Sequence, residues 1–131
     1  IETGGYMPKG YKTEAGNQVQ LAKRFNLKET QNSNYSARTM LNIVFSDGTL
    51  IYGDVNSSGS KLTKRFCEIY NKPYIEILRQ DISIYKIQLT RKFLLSHKIK
   101  ILNVAGNRES KSRGIFEECK KFVVDLLESL P

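Results

Sequence analysis

The chain has 131 residues, room for one domain and one core. Hydrophobic residues make up 40% and charged residues 26%, which excludes a disordered chain, and its longest apolar runs, FLL and FVV, fall far short of the about 20 residues that span a bilayer. Lys and Arg number 21 against 13 Asp and Glu, a net charge of +8 whose field attracts phosphates, other oxyanions, nucleic acid or acidic partners.

A short strand is expected near Ile1 to Tyr6, leading into the loop GGYMPKG. Glycine there allows close backbone approach, proline fixes φ, and Lys9 between them is a cation on a stiffened loop. Lys9 to Thr30 is polar and poorly periodic and reads as a long excursion, a kind of segment that is usually functional or mobile. From Tyr35, the residues Ala37, Met40, Leu41, Val44 and Phe45 trace the stripe of an amphipathic helix, capped by Asn34 or Ser33. GTLIYGD is then a strand and the Gly/Ser-rich GDVNSSGS a loop, after which Leu62, Phe66, Ile69 and Tyr70 restore helical spacing. KPYIEI gives another strand, SIYKIQLTRKFLLSHK a helix of less clean period, and KIKILNVAG a further apolar strand. A last helix carries the stripe Ile115, Cys119, Phe122, Val123, Leu126, Leu127 and Leu130.

Strands alternating with helices predict right-handed crossovers and a three-layer α/β/α sandwich around a mainly parallel sheet, with residues 1–131 as a single domain. In such a sheet the loops that follow the strands gather on one edge, where ligands bind. That edge collects GGYMPKG, GDVNSSGS and AGNRESKSRG, with Lys9 in the first, Lys61 directly after the second, and Arg108, Lys111 and Arg113 in the third. Two of these loops feed helices, whose N-terminal N–H groups and dipole favour an anion. Singly, Gly59 and Gly114 ease turns and Ser60 and Ser112 cap helices. Their coincidence on one edge points to an anion or nucleotide-phosphate site.

Catalysis has less support. His97 lies at a helix end away from that edge, where a solvated imidazole is the simpler reading, and the serines lack a base. Among the carboxylates Glu14, Asp47, Asp54 and Glu109, none forms a distinctive pair. Cys67 and Cys119 occupy apolar helical positions without metal-ligand spacing and are expected as free structural thiols of a cytoplasmic protein. The chain opens on Ile1 with no secretory pattern, so upstream residues are expected to have been removed or to lie outside it.

The blocks GGYMPKGYKTE, LKETQNSNYSARTMLNIVFSDGTLIY, SSGSKLTKRF and LNVAGNRESKSRGI resemble those of the putative molybdenum carrier family. That family is a branch of the Rossmann-like SLOG superfamily, which includes the lysine-decarboxylase-like cytokinin-activating proteins. The resemblance implies a nucleotide-binding type of fold, a homo-oligomer, and binding of molybdate, molybdenum cofactor or a nucleotide. Carried over by position, the ligand-binding residues are Gly4, Gly5, Pro8, Lys9, Gly10, Arg38, Asn42, Gly59, Ser60, Thr63, Gly106, Arg108, Ser110 and Gly114, with no metal ligands. The family's opening strand and Ser-Gly-Gly-Gln-Thr-Gly loop have no counterpart here, and the natural protein is expected to be longer; were that strand truly absent, a central sheet position would be left for a partner chain to fill. The superfamily's hydrolase turn is also altered: SGSKLT runs on into Lys64 and Arg65, with no glutamate before Glu68. Two alternatives remain beside anion binding: hydrolysis of a nucleotide or N-glycosidic bond with Asp47 or Glu109 activating water, and single-stranded nucleic-acid binding through the positive charge and seven tyrosines.

Overall fold

The computed structural model describes residues 1–31 and 33–131. Strand β1 (Gly5–Met7) leads into a small antiparallel hairpin, β2 (Lys12–Thr13) and β3 (Gly16–Asn17). Helix α1 (Val19–Arg24) and strand β4 (Leu27–Glu29) follow, and β4 pairs in parallel with β1. Next come α2 (Tyr35–Val44), β5 (Gly48–Tyr52), α3 (Ser58–Ile69), β6 (Tyr74–Ile77), α4 (Ser83–Ser96), β7 (Leu102–Gly106) and α5 (Ile115–Ser129). Strand β5 lies between β6 and β7, parallel to both. The result is the expected three-layer α/β architecture, with its parallel strands divided between a three-stranded sheet and the β1–β4 pair.

Every residue of β5 is buried, because helices cover both of its faces. Leu50 and Tyr52 point to one side and form a core with Ile77 of β6 and Ile115, Phe122 and Leu126 of α5. Each such side chain contributes about 1.5–3 kcal/mol by leaving water. Tyr52 and Phe122 stack with ring centroids 5.6 Å apart. Helices α4 and α5 form the layer on this face, while α2 and α3 contact each other and α3 lies against β7. The outer side of β7 opens on an apolar groove of about 500 Å³ lined by Val104, Phe116, Cys119, Val123 and Val124.

Three sequence expectations need correction. The Lys9–Thr30 excursion holds two short strands, a helix and β4. Its helix is six residues long and buries only Ala22, too short for a period to show. In α2 the fully buried residue is Ile43, whereas Phe45 is the C-cap and 61% exposed. In α3 the inner face is Ser60, Thr63 and Cys67, and Ile69 and Tyr70 are exposed. Small hydroxyl side chains suit that face because each bonds locally: Thr63 Oγ1 donates to the Gly59 carbonyl at 3.0 Å, and Ser60 Oγ to the Asp54 carbonyl at 2.9 Å. Cys67 and Cys119 are free thiols, raised in pKa chiefly by burial. Among the described residues no helix is long and apolar enough to cross a membrane.

Candidate anion site

Helix α2 precedes β5 and therefore starts at the edge where the parallel strands end. Its first turn places Tyr35 and Arg38, three residues apart, on one face. Asn34 caps this turn by accepting the Ser36 N–H at 2.8 Å. Two segments distant in sequence meet Tyr35 there, the hairpin through Lys12 and the loop after β7 through Arg108. The centroid of the Tyr35 ring lies 5.8 Å from Lys12 Nζ, 5.5 Å from Arg38 Cζ and 5.2 Å from Arg108 Cζ. Glu14 is the carboxylate beside them, 4.0 Å from Arg108 Nε and accepting from the Ser110 hydroxyl.

Three cations thus crowd one ring beside one carboxylate. Arg38 Nε is buried and has no hydrogen-bond partner among the described residues. Burial pushes the Arg38 pKa below its ordinary value; Tyr35 opposes this and the neighbouring charge of Arg108 adds to it. Guanidinium stays protonated near neutrality, so the cost is borne by the folded protein. An entering oxyanion would relieve both the charge repulsion and the unmet donor.

The other proposed ligand residues are positioned differently. Gly5 belongs to β1, and the turn after it is Pro8–Tyr11, closed by Tyr11 N–H to the Pro8 carbonyl at 2.9 Å. Gly10 N–H donates to Glu29 at 2.8 Å, and Lys9 is exposed. The Asn42 amide is taken by β1, accepting from Tyr6 N–H at 2.8 Å and donating to the Tyr6 carbonyl at 3.2 Å. Ser60 and Thr63 turn inward as described, while Gly59 is exposed with nothing within 4 Å of where a Cβ would stand. Ser57, rather than Ser60, caps α3. Gly106 lies so close to β5 that a Cβ would stand 2.9 Å from the Tyr52 carbonyl oxygen. Gly114 is the N-cap of α5, and that helix N-terminus already holds a carboxylate, since Glu109 accepts the N–H groups of Gly114 at 2.8 Å and Phe116 at 3.2 Å.

The two carboxylates considered for hydrolysis are likewise engaged. Asp47 sits at the opposite end of β5 and accepts from Ile101 N–H at 2.8 Å and Lys100 N–H at 2.9 Å. These bonds hold its carboxyl below the ordinary range, and the N–H groups of Gly114 and Phe116 do the same for Glu109. A depressed folded pKa contributes stability above the unfolded pKa, and that contribution is lost as pH falls through the folded one. Urea midpoints are therefore expected to hold from neutrality to the upper edge of the carboxylate range and to fall below it. Asp47→Asn and Glu109→Gln should each flatten that fall; an unchanged slope would show that these bonds contribute nothing.

Residues 1–127 match the circularly permutated YpsA SLOG family. The chain belongs to that family. A crystal structure of a putative molybdenum carrier protein from Syntrophus aciditrophicus is similar to this SLOG chain with a TM-score of 0.85 and 36% identity, over 95% of this chain and 78% of that one. No curated protein matches. The family and the α/β fold implied by the sequence blocks are thus borne out. Among the described residues no group of His, Cys, Asp and Glu has the makings of a metal site.

Of the expected ligand residues, Arg38, Arg108 and Ser110 come together around Tyr35. Sequence reasoning passed over Lys12, Tyr35 and Asn107 as site residues. Lys12 and Tyr35 had a faint signal, a basic and an aromatic residue flanking the polar excursion. Asn107 ties two loops of this SLOG fold: its Nδ2 donates to the Asp54 carbonyl at 3.1 Å and Ser57 Oγ at 3.0 Å, and its Oδ1 accepts Asp54 N–H at 2.6 Å.

Proposed function

We propose that this protein binds a small oxyanion, either molybdate or a related molybdenum species or the phosphate of a nucleotide, at the Tyr35 cluster. The observation that carries the reading is the buried Nε of Arg38, without a hydrogen-bond partner among the described residues, beside Lys12 and Arg108. The name of the Syntrophus aciditrophicus neighbour, putative molybdenum carrier protein, supports molybdate as cargo. Molybdate and phosphate are both tetrahedral oxyanions, so the same N–H and guanidinium donors suit either. Arg38 and Arg108 grip the anion, Lys12 supplies charge, Ser110 orients it, and exposed Gly59, with Lys9, forms the approach. Binding rather than hydrolysis is favoured because Asp47 and Glu109 are both committed to backbone N–H groups. The chain acts as one domain in the cytoplasm and self-associates, with exposed Phe45, Ile69 and Tyr70 as apolar surface for a second copy.

Calorimetric titration with sodium molybdate, phosphate and AMP at two salt concentrations tests the reading. One-site binding of at least one of them, lost in the double variant Arg38→Ala/Arg108→Ala, is expected. Binding that survives the double variant overturns the site. No oxyanion binding, with a steeply salt-dependent affinity for a single-stranded oligonucleotide, overturns the function in favour of nucleic acid.

A further inference from the structure

A second cavity, of about 360 Å³, lies where β6 hands over to α4. At its floor Lys86 is only 6% exposed, an unusual position for an ammonium. Nζ donates to Tyr52 Oη at 2.8 Å and to the Arg79 carbonyl at 2.9 Å, both neutral acceptors. Nζ also stands 4.9 Å from the centroid of the Tyr52 ring and lies within electrostatic reach of Glu118. An ammonium has three protons to give, however, so one has no hydrogen-bond acceptor, and no carboxylate forms an ion pair with Lys86 among the described residues. Burying a charge in this way is costly unless a counter-charge arrives.

The other charges lining the cavity settle what that counter-charge can be. Glu118 is held by Arg79, whose Nε donates to it at 2.8 Å, and Asp125 is held by Lys121 at 2.7 Å. With these two pairs cancelled, the lining keeps one positive group, Lys86, and one negative group, Asp81. Helix α4 adds further positive potential at its start, where no side chain caps it and no acidic residue occupies the first turn. Ile82, Ile87 and Phe122 give the cavity an apolar wall.

We propose that this cavity binds a small zwitterion of the amino-acid type with an apolar side chain. Its carboxylate meets Lys86 and the start of α4, its ammonium meets Asp81, and its side chain lies on Ile87 and Phe122. A simple anion such as phosphate would meet Asp81 with only Lys86 to offset it, whereas at the Tyr35 cluster three cations outnumber Glu14.

Amide and methyl NMR spectra of the full chain titrated with L-leucine, 4-methylpentanoate and isoamylamine test the assignment. Leucine is expected to give saturable shifts centred on Asp81–Lys86, and the two singly charged analogues to bind at least tenfold more weakly. Lys86→Met should abolish the leucine shifts. Should that variant fail to fold, Asp81→Asn at the rim should reduce leucine to the affinity of 4-methylpentanoate, and Arg38→Ala should leave it unchanged. Absence of saturable shifts at Asp81–Lys86, or equal affinity for leucine and 4-methylpentanoate, overturns the proposal.

Discussion

Replacing Gly53 by alanine is expected to destabilise the protein by about 3–4 kcal/mol, more than any other single methyl group added to this fold. Gly53 follows directly on β5 with φ of +109°, a region that side chains of L-residues rarely enter. That conformation costs a non-glycine residue roughly 1–2 kcal/mol. A Cβ here would also stand 2.3 Å from Asn107 Oδ1 and 2.7 Å from Ile115 Cδ1. Asn107 is fixed by its three bonds to the Asp54 backbone and Ser57, and Ile115 is buried in the core, so neither side chain swings aside freely. Overpacking of this kind costs a further 1–3 kcal/mol or so. Urea unfolding checks the value. A loss below about 1 kcal/mol would mean that the loops after β5 and β7 shift together, leaving the Asn107 clamp without the rigidity assigned to it. Gly59→Ala is the control, since nothing lies within 4 Å of its added carbon, and it should be nearly neutral to stability.

The contrast between these two glycines shows what was legible in the sequence. The alternation of apolar strands and striped helices was enough to place β5, β6, β7 and α5, most plainly β5, where burial along the whole strand demands an apolar run. It was also enough to bring the loops after β5 and β7 to one edge. Less legible were elements stabilised by single polar contacts. The Asn42 amide holds β1 against α2 across 36 positions in sequence, and no period announces such a bond. Ser60 was expected to cap its helix and, with Thr63, to bind the ligand, yet both face inward, since a hydroxyl that bonds its own helix or loop no longer requires water. The same blindness applied to the site. Glycines and serines suggested a phosphate cradle at helix N-termini, but Glu109 fills the start of α5 from within the chain. The cations that converge come from a hairpin of two-residue strands, a helix turn and a loop, a meeting fixed by topology alone.

Arg38→Ala is accordingly expected to weaken oxyanion binding by about 10- to 150-fold, the range that follows from a hydrogen bond to a charged group worth roughly 1.5–3 kcal/mol. Its effect on stability should have the opposite character. In the free protein the guanidinium is desolvated, lies near Arg108 and finds no partner for Nε among the described residues, so its removal takes away unfavourable terms together with the packing of its stem. The net change is expected to stay within about 1 kcal/mol. Arg38→Lys separates charge from geometry: it restores the positive charge but not the planar fork, and should recover only part of the affinity. The two readouts together decide the role. If Arg38→Ala unfolds the protein by several kcal/mol while bound anion is unaffected, the residue is a structural support of α2. If affinity collapses while the urea midpoint holds, Arg38 is an anion ligand whose buried donor is satisfied only in the complex. Lys12→Ala, farther from the ring and exposed, should then cost less affinity and lower the salt dependence of what remains.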